Sequence, residues 1–97
     1  MIIPMQDGAP PHLLMHSSGT LICTYGHRAG PYGIKMIYSR DNGKTWSDGQ
    51  WLYDGAKSSD VGYPATIELT DGSMLTVFYA ARADACAVFQ MKWRLEA

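Results

Sequence analysis

An all-β fold is what this sequence predicts, and three observations predict it. Short runs rich in β-branched and aromatic residues recur between Gly, Asp, Ser and Pro clusters, while helical periodicity is almost absent. Laid on itself at a shift of 53 residues, the chain places Pro11 on Pro64, Leu14 on Ile67, Gly19 on Gly72, Leu21 on Met74 and Tyr25 on Phe78. The third observation is the turn "SRDNGKTW", residues 39–46, whose Ser-x-Asp-x-Gly-x-Thr-Trp spacing fixes five positions. An accidental match to it has odds on the order of one in three million per start site.

Taken in order, "HLLM" alternates and opens a strand at 12–15, the turn "HSSGT" reverses it, and "TLICTY" returns at 20–25. The Gly- and Pro-bearing loop "GHRAGPYG" leads to "GIKMIYS", a strand at 34–39; the Asp-bearing turn follows, and "QWLY" makes a fourth strand at 50–53. The pattern then repeats: "ATIEL" at 65–69, the turn "TDGS", "MLTVFYAA" at 74–80 and "AVFQMKWRL" at 87–95. A repeat of about 40 to 50 residues with four antiparallel strands is the size of one propeller blade. The reading is therefore one domain over residues 1–97, with one blade at about 8–55 and a second at about 60–95. The second lacks a fourth strand, and the extended segment 2–5 is the spare piece to supply it. Trp51 and Trp93, among alternating apolar neighbours, are expected in the core.

A length of 97 residues with 46 % hydrophobic and 18 % charged residues is ordinary for a small globular domain. The net charge of −1 offers no basic field for nucleic acid or acidic lipid, so neither is an expected partner. Cys23 and Cys86 have no ligand-type neighbours at CxxC or CxH spacing; both are expected as buried free thiols, with no metal site and no cofactor. The opening "MIIPMQDG" has neither a cationic segment nor an apolar stretch long enough for a leader or a membrane span, which reads as cytoplasmic.

The turn and the segments "GAPPHLLMHSSGTLICTYGHRAGPYGIKMIYSRDNGKTW" and "DVGYPATIELTDGSMLTVFYA" resemble the Asp-box (bacterial neuraminidase repeat) blades of six-bladed sialidase-like propellers, over about residues 8–95. In this turn Asp41 is expected to accept hydrogen bonds from backbone N–H groups, Gly43 to supply a positive φ, Ser39 and Thr45 to stand at the motif's hydroxyl positions, and Trp46 to fold back as an apolar plug. That makes the motif a structural staple. If the first strand runs from top to bottom, the Asp-box lies at the bottom of the blade, and the top carries the loops with Asp7, His12, His27, Arg28, Tyr32, Asp60, Tyr63 and Arg82.

These residue types suit a sugar acid: Arg pairs with a carboxylate, Asp accepts hydroxyl protons and Tyr stacks. The resemblance implies more. "YGHR" is similar to the family's Tyr-Gly-x-Arg segment, which puts Arg28 at a pocket rim, and "DVGYP" is similar to a segment that brings Asp60 and Tyr63 near the axis. His12, His27 and Arg82 complete the candidate ligand-binding set. For Arg28 a strand-bracing role stands beside the pocket role, for Tyr63, which the ring of Pro64 should hold extended, core packing stands beside pocket lining, and His12 and His16 read best as hydrogen-bonded structural histidines. Sialidases hold the substrate carboxylate on an arginine cluster and use a Glu-paired Tyr as nucleophile and an Asp as acid/base. The segments bearing that Asp, an Arg-Ile-Pro arginine and the Glu have no counterpart here, so no catalytic residue is assigned. The implied function is carbohydrate binding on the top face; a glycoside hydrolase active only in an assembled ring and a ligand-free assembly cassette remain alternatives. Two blades cannot close a propeller, and the expected partner is the chain itself, as a homotrimer of six blades.

Overall fold

The computed structural model describes residues 10–28, 30–58, 60–81 and 86–95. Every regular element among them is a strand: β1 (His12–Met15), β2 (Leu21–His27), β3 (Tyr32–Ser39), β4 (Gln50–Ala56), β5 (Val61–Glu68), β6 (Met74–Ala81) and β7 (Cys86–Trp93). They form two antiparallel meanders, sheet I with order β1-β2-β3-β4 and sheet II with order β5-β6-β7. No helix among the described residues is long and apolar enough to cross a membrane. The expectation that residues 2–5 add a strand to sheet II falls outside the described residues.

Strand alternation sorts the side chains onto two faces, and the registers fix which residues share one. On sheet I, Leu14 pairs with Ile22, and Ile22 with Tyr38; with Met36 and Ile34 they define a front face. Sheet II covers that face with its own back face. Ile22, Met36 and Met74 form one buried cluster, joined by Leu14, Tyr38 and Trp93. Ile34, Val61, Phe78 and Ala80 form another, in which the rings of Phe78 and Phe89 stack at 5.5 Å. Between the clusters runs a buried hydroxyl ladder: Thr24 to Thr66 at 3.2 Å, Thr66 to Thr76 at 2.8 Å, with the Trp93 indole N–H donating to Thr76 at 2.8 Å. Each bond of such a ladder contributes about 1 kcal/mol net and satisfies groups that burial would otherwise leave stranded.

At one end, the two hairpin turns are tied together across the sheets. His16 donates from Nε2 to the Gly72 carbonyl at 2.8 Å, and Ser17 gives its amide and its hydroxyl to the two oxygens of Glu68. Those donors hold the Glu68 carboxyl below its usual range, the Ser17 hydroxyl first. The β3–β4 turn lies at this same end. There Asp41 accepts from the Thr45 amide and the Ser39 hydroxyl, each at 2.8 Å, and from the Thr45 hydroxyl; the Gly43 amide donates to Ser39 Oγ at 2.8 Å. Asn42 and Gly43 carry φ of 60° and 88°, a tight reversal that suits Asn and Gly. Trp46 then lies on Cys23, Tyr25 and Ile37, on the back face of sheet I.

Three expectations are corrected. Strands β2, β3, β4 and β5 reach further toward the opposite end than expected, β5 beginning at Val61 rather than at 65, because a bulge between Gly62 and Ala65 carries Pro64 without breaking the ladder. Tyr63, which a following proline should hold extended, instead has φ 49° within that bulge. Trp51 is not core: it is 38 % exposed on the outermost strand of sheet I, with Lys35 Nζ 4.7 Å above its ring. Trp93 is half-buried. The Cys23 thiol is buried, and burial pushes its pKa up to about 11; the side chain of Cys86 lies outside the described residues.

Candidate ligand-binding site

The end of the molecule remote from the Asp41 turn is where β2 runs out and β5 begins. Here the backbones of the two sheets touch. A Cβ on Gly26 would meet the Gly62 Cα and the Val61 oxygen, both at 2.9 Å, so only glycine allows this approach. The close approach lets Arg28, just past the end of β2, reach across and donate from Nε to the Val61 carbonyl at 3.0 Å. Its guanidinium carbon lies 5.4 Å from the centre of the Tyr63 ring. Its Nη2 is buried and has no hydrogen-bond partner among the described residues. A desolvated, unpaired cationic donor is costly, and the group that best relieves the cost is an anionic acceptor.

Tyr63 turns outward because of its left-handed backbone, is 60 % exposed, and stacks on Tyr79 with centroids 5.5 Å apart and planes 23° from parallel. The Tyr79 hydroxyl donates to Asp60 Oδ1 at 2.7 Å. That bond, together with burial and the Asp60 charge, raises the phenol's pKa above its ordinary value. The Asp60 carbonyl accepts from the Ala81 amide at 2.9 Å, which pins the loop that carries the carboxylate. Cation, aromatic platform and carboxylate thus stand side by side: an acceptor-seeking arginine, ring faces suited to sugar C–H groups, and a carboxylate suited to hydroxyls.

Of the six residues expected to bind ligand, the structure brings Arg28, Asp60 and Tyr63 together. His12 lies between the sheets instead, where its Nδ1 accepts from the Thr66 amide at 3.2 Å. His27 is buried on the back face, donating from Nδ1 to the Pro31 carbonyl at 2.8 Å, with its ring against the edge of Trp51. Tyr32 packs on the Ile34 cluster. Arg82 and Asp7 lie outside the described residues. Tyr79 was missed. Its signal was the alternation of β6, where Met74, Thr76, Phe78 and Ala80 turn inward and so send Leu75, Val77 and Tyr79 outward.

A separate cleft of about 410 Å³ opens between β3–β4 and the end of β7, lined by Met36, Tyr38, Trp51, Leu52, Trp93 and Leu95 among others. It contains none of the expected ligand residues. No family model matches the chain, and no curated protein matches it.

Proposed function

We propose that the chain is a two-blade module of a sialidase-like β-propeller that binds a carboxylated sugar at the Arg28, Tyr63, Tyr79 and Asp60 cluster without cleaving it. The observation that carries this reading is the buried Nη2 of Arg28, without a hydrogen-bond partner among the described residues, beside the exposed Tyr63 ring stacked on Tyr79. The sugar carboxylate takes Nη2, its ring lies on Tyr63, and a hydroxyl donates to Asp60. The Ser-Asp-Gly-Thr-Trp turn and the 53-residue repeat support the propeller part. Binding is favoured over hydrolysis because the segments that carry a sialidase's acid/base Asp, its Arg-Ile-Pro arginine and the Glu partner of its tyrosine have no counterpart in the sequence. Two sheets are too few for a closed ring, so three chains complete six blades.

Calorimetry with N-acetylneuraminic acid tests the reading. The acid binds, its methyl ester binds at least about tenfold more weakly, and Arg28→Gln loses a similar factor, about 1.4 kcal/mol. Equal affinity for acid and ester rejects the arginine as the carboxylate's partner. Turnover of a fluorogenic sialoside by the wild type that Tyr79→Phe abolishes would instead establish the hydrolase.

A further inference from the structure

On its ligand side Arg28 is tied by the bond from Nε to the Val61 carbonyl. What aims it lies on the other face of sheet I. Successive residues of a strand point to opposite faces, so at the end of β2 His27 goes to the back while Arg28 reaches toward sheet II. His27 is only 8 % exposed, although it is on the face turned away from sheet II.

Its neighbours account for that burial. Gly33, its cross-strand partner, has no side chain and leaves room for the ring. Trp51 on β4 meets the ring edge-on, with centroids 5.2 Å apart and planes at 76°. Trp51 is held in turn by Lys35, its partner in the register, whose Nζ stands over the indole. The exposed tryptophan of the outermost strand thus has a use: it walls in His27. The remaining contact is polar, Nδ1 of His27 to the Pro31 carbonyl at 2.8 Å. A carbonyl only accepts, so Nδ1 carries the proton and the tautomer is fixed. The bond joins the last residue of β2 to the residue just before β3, and Tyr32, which follows, packs on the Ile34 cluster. The connection that begins with Arg28 is therefore fastened at both ends. A long guanidinium side chain loses rotamer freedom when held in one pose, and a fixed backbone at its root leaves fewer poses to lose.

We propose that His27 is a positioning residue for Arg28: its clamp on Pro31, walled in by Trp51, sets the direction in which Arg28 leaves β2 and so holds Nη2 where a carboxylate meets it. For its ligand this rests on the sugar reading above, but the placing of Arg28 is read without any sugar.

Two substitutions separate donor from ring. His27→Phe keeps an aromatic ring against Trp51 and removes the Nδ1–H; His27→Asn keeps a side-chain N–H near the place of Nδ1 and removes the rest of the ring. In ¹⁵N-labelled protein without ligand, the Arg28 Nε–H of the wild type and of His27→Asn is protected by its bond to Val61, and in His27→Phe it exchanges with water at least about tenfold faster. In calorimetry, the preference for N-acetylneuraminic acid over its methyl ester falls from at least about tenfold toward equality in His27→Phe and returns in His27→Asn. A fold merely loosened weakens acid and ester alike and leaves their ratio unchanged, which separates positioning from stability. Wild-type protection and a wild-type ratio in a folded His27→Phe, shown folded by circular dichroism, overturn the proposal. So does a wild-type His27 ring whose ¹⁵N signals show Nδ1 unprotonated, a reading that needs no variant to fold. If the wild type binds neither acid nor ester, the sugar reading fails, and the Arg28 Nε–H signal alone decides on His27: unchanged in His27→Phe it overturns the clamp, unprotected it upholds it.

Discussion

Tyr63 has a left-handed backbone directly ahead of Pro64, a conformation costing on the order of 1 to 3 kcal/mol that persists only where the surroundings enforce it. What enforces it is the bulge, the stack on Tyr79 and the Gly26–Gly62 contact beneath. Gly26→Ala puts a methyl into backbone atoms, and such overpacking costs about 1 to 3 kcal/mol. A thermal melt should show that loss, and Arg28 should lose both its Val61 bond and its ligand affinity; an unshifted melt would mean that the sheets do not touch there. Cys23 makes a second residue-scale prediction. With its thiol pushed up to about 11, in a Cys86→Ser background it should resist a thiol-specific dye at pH 8 in the folded protein and react at once on unfolding. Rapid labelling under native conditions contradicts its burial. Arg28 was singled out in "YGHR" only through the resemblance to a Tyr-Gly-x-Arg segment, with strand bracing beside the pocket role, and its bond to the Val61 carbonyl is a brace of that kind. Tyr63's conformation was not legible, since a following proline argues for the extended form and only the two-sheet contact overrides it.

Among the elements, the strands were legible wherever alternation is clean and turn residues are dense, as in "HLLMHSSGTLICTY" and "ATIELTDGSML". Their far ends were not, because Gly26, Gly33 and Gly62 read as loop residues in sequence while the structure uses them where backbones crowd. Trp51 failed for a different reason: apolar composition says that a strand has a buried face, not that its sheet has a neighbour on that side. The hydroxyl ladder gives a prediction at this scale. Thr66→Val removes the central member and leaves Thr24 and Thr76 buried without it, which should destabilise the fold by about 1 to 3 kcal/mol in urea melts. No change would show that water or rearrangement replaces the bond. The turns at the opposite end predict acid sensitivity. Asp41 is held down to about 2 by its hydrogen bonds, the Thr45 hydroxyl first, and Asp71 and Glu68 are also lowered, by donors from Ser73 and Ser17. A carboxyl depressed in the folded state adds stability above its unfolded pKa of about 4, and this is lost as pH falls through the folded value. The melting temperature should therefore drop between about pH 4 and pH 2, and Asp41→Asn should flatten part of that slope while leaving sugar affinity intact.

For the whole molecule, the two-sheet architecture follows from the repeat: the apolar front of sheet I packs on the apolar back of sheet II, while Trp46 covers the back of sheet I. The same physics leaves Ile67, Val77 and Val88 facing water and places the Arg28 cluster at the seam, opposite the end that carries the Asp41 turn. The strand pattern announced the all-β class, but it carries no trace of the seam, because Arg28, Asp60, Tyr63 and Tyr79 come from two different sheets. The binding of a carboxylated sugar at that seam is tested most directly by titrating ¹⁵N-labelled protein with N-acetylneuraminic acid and following the Arg28 Nε–H signal. Saturable shifts of that signal and of the Val61, Tyr63 and Tyr79 amides, absent with the methyl ester, are the expected result. A silent Arg28 at saturating sugar, or shifts confined to the Trp93 and Leu95 cleft, would contradict it.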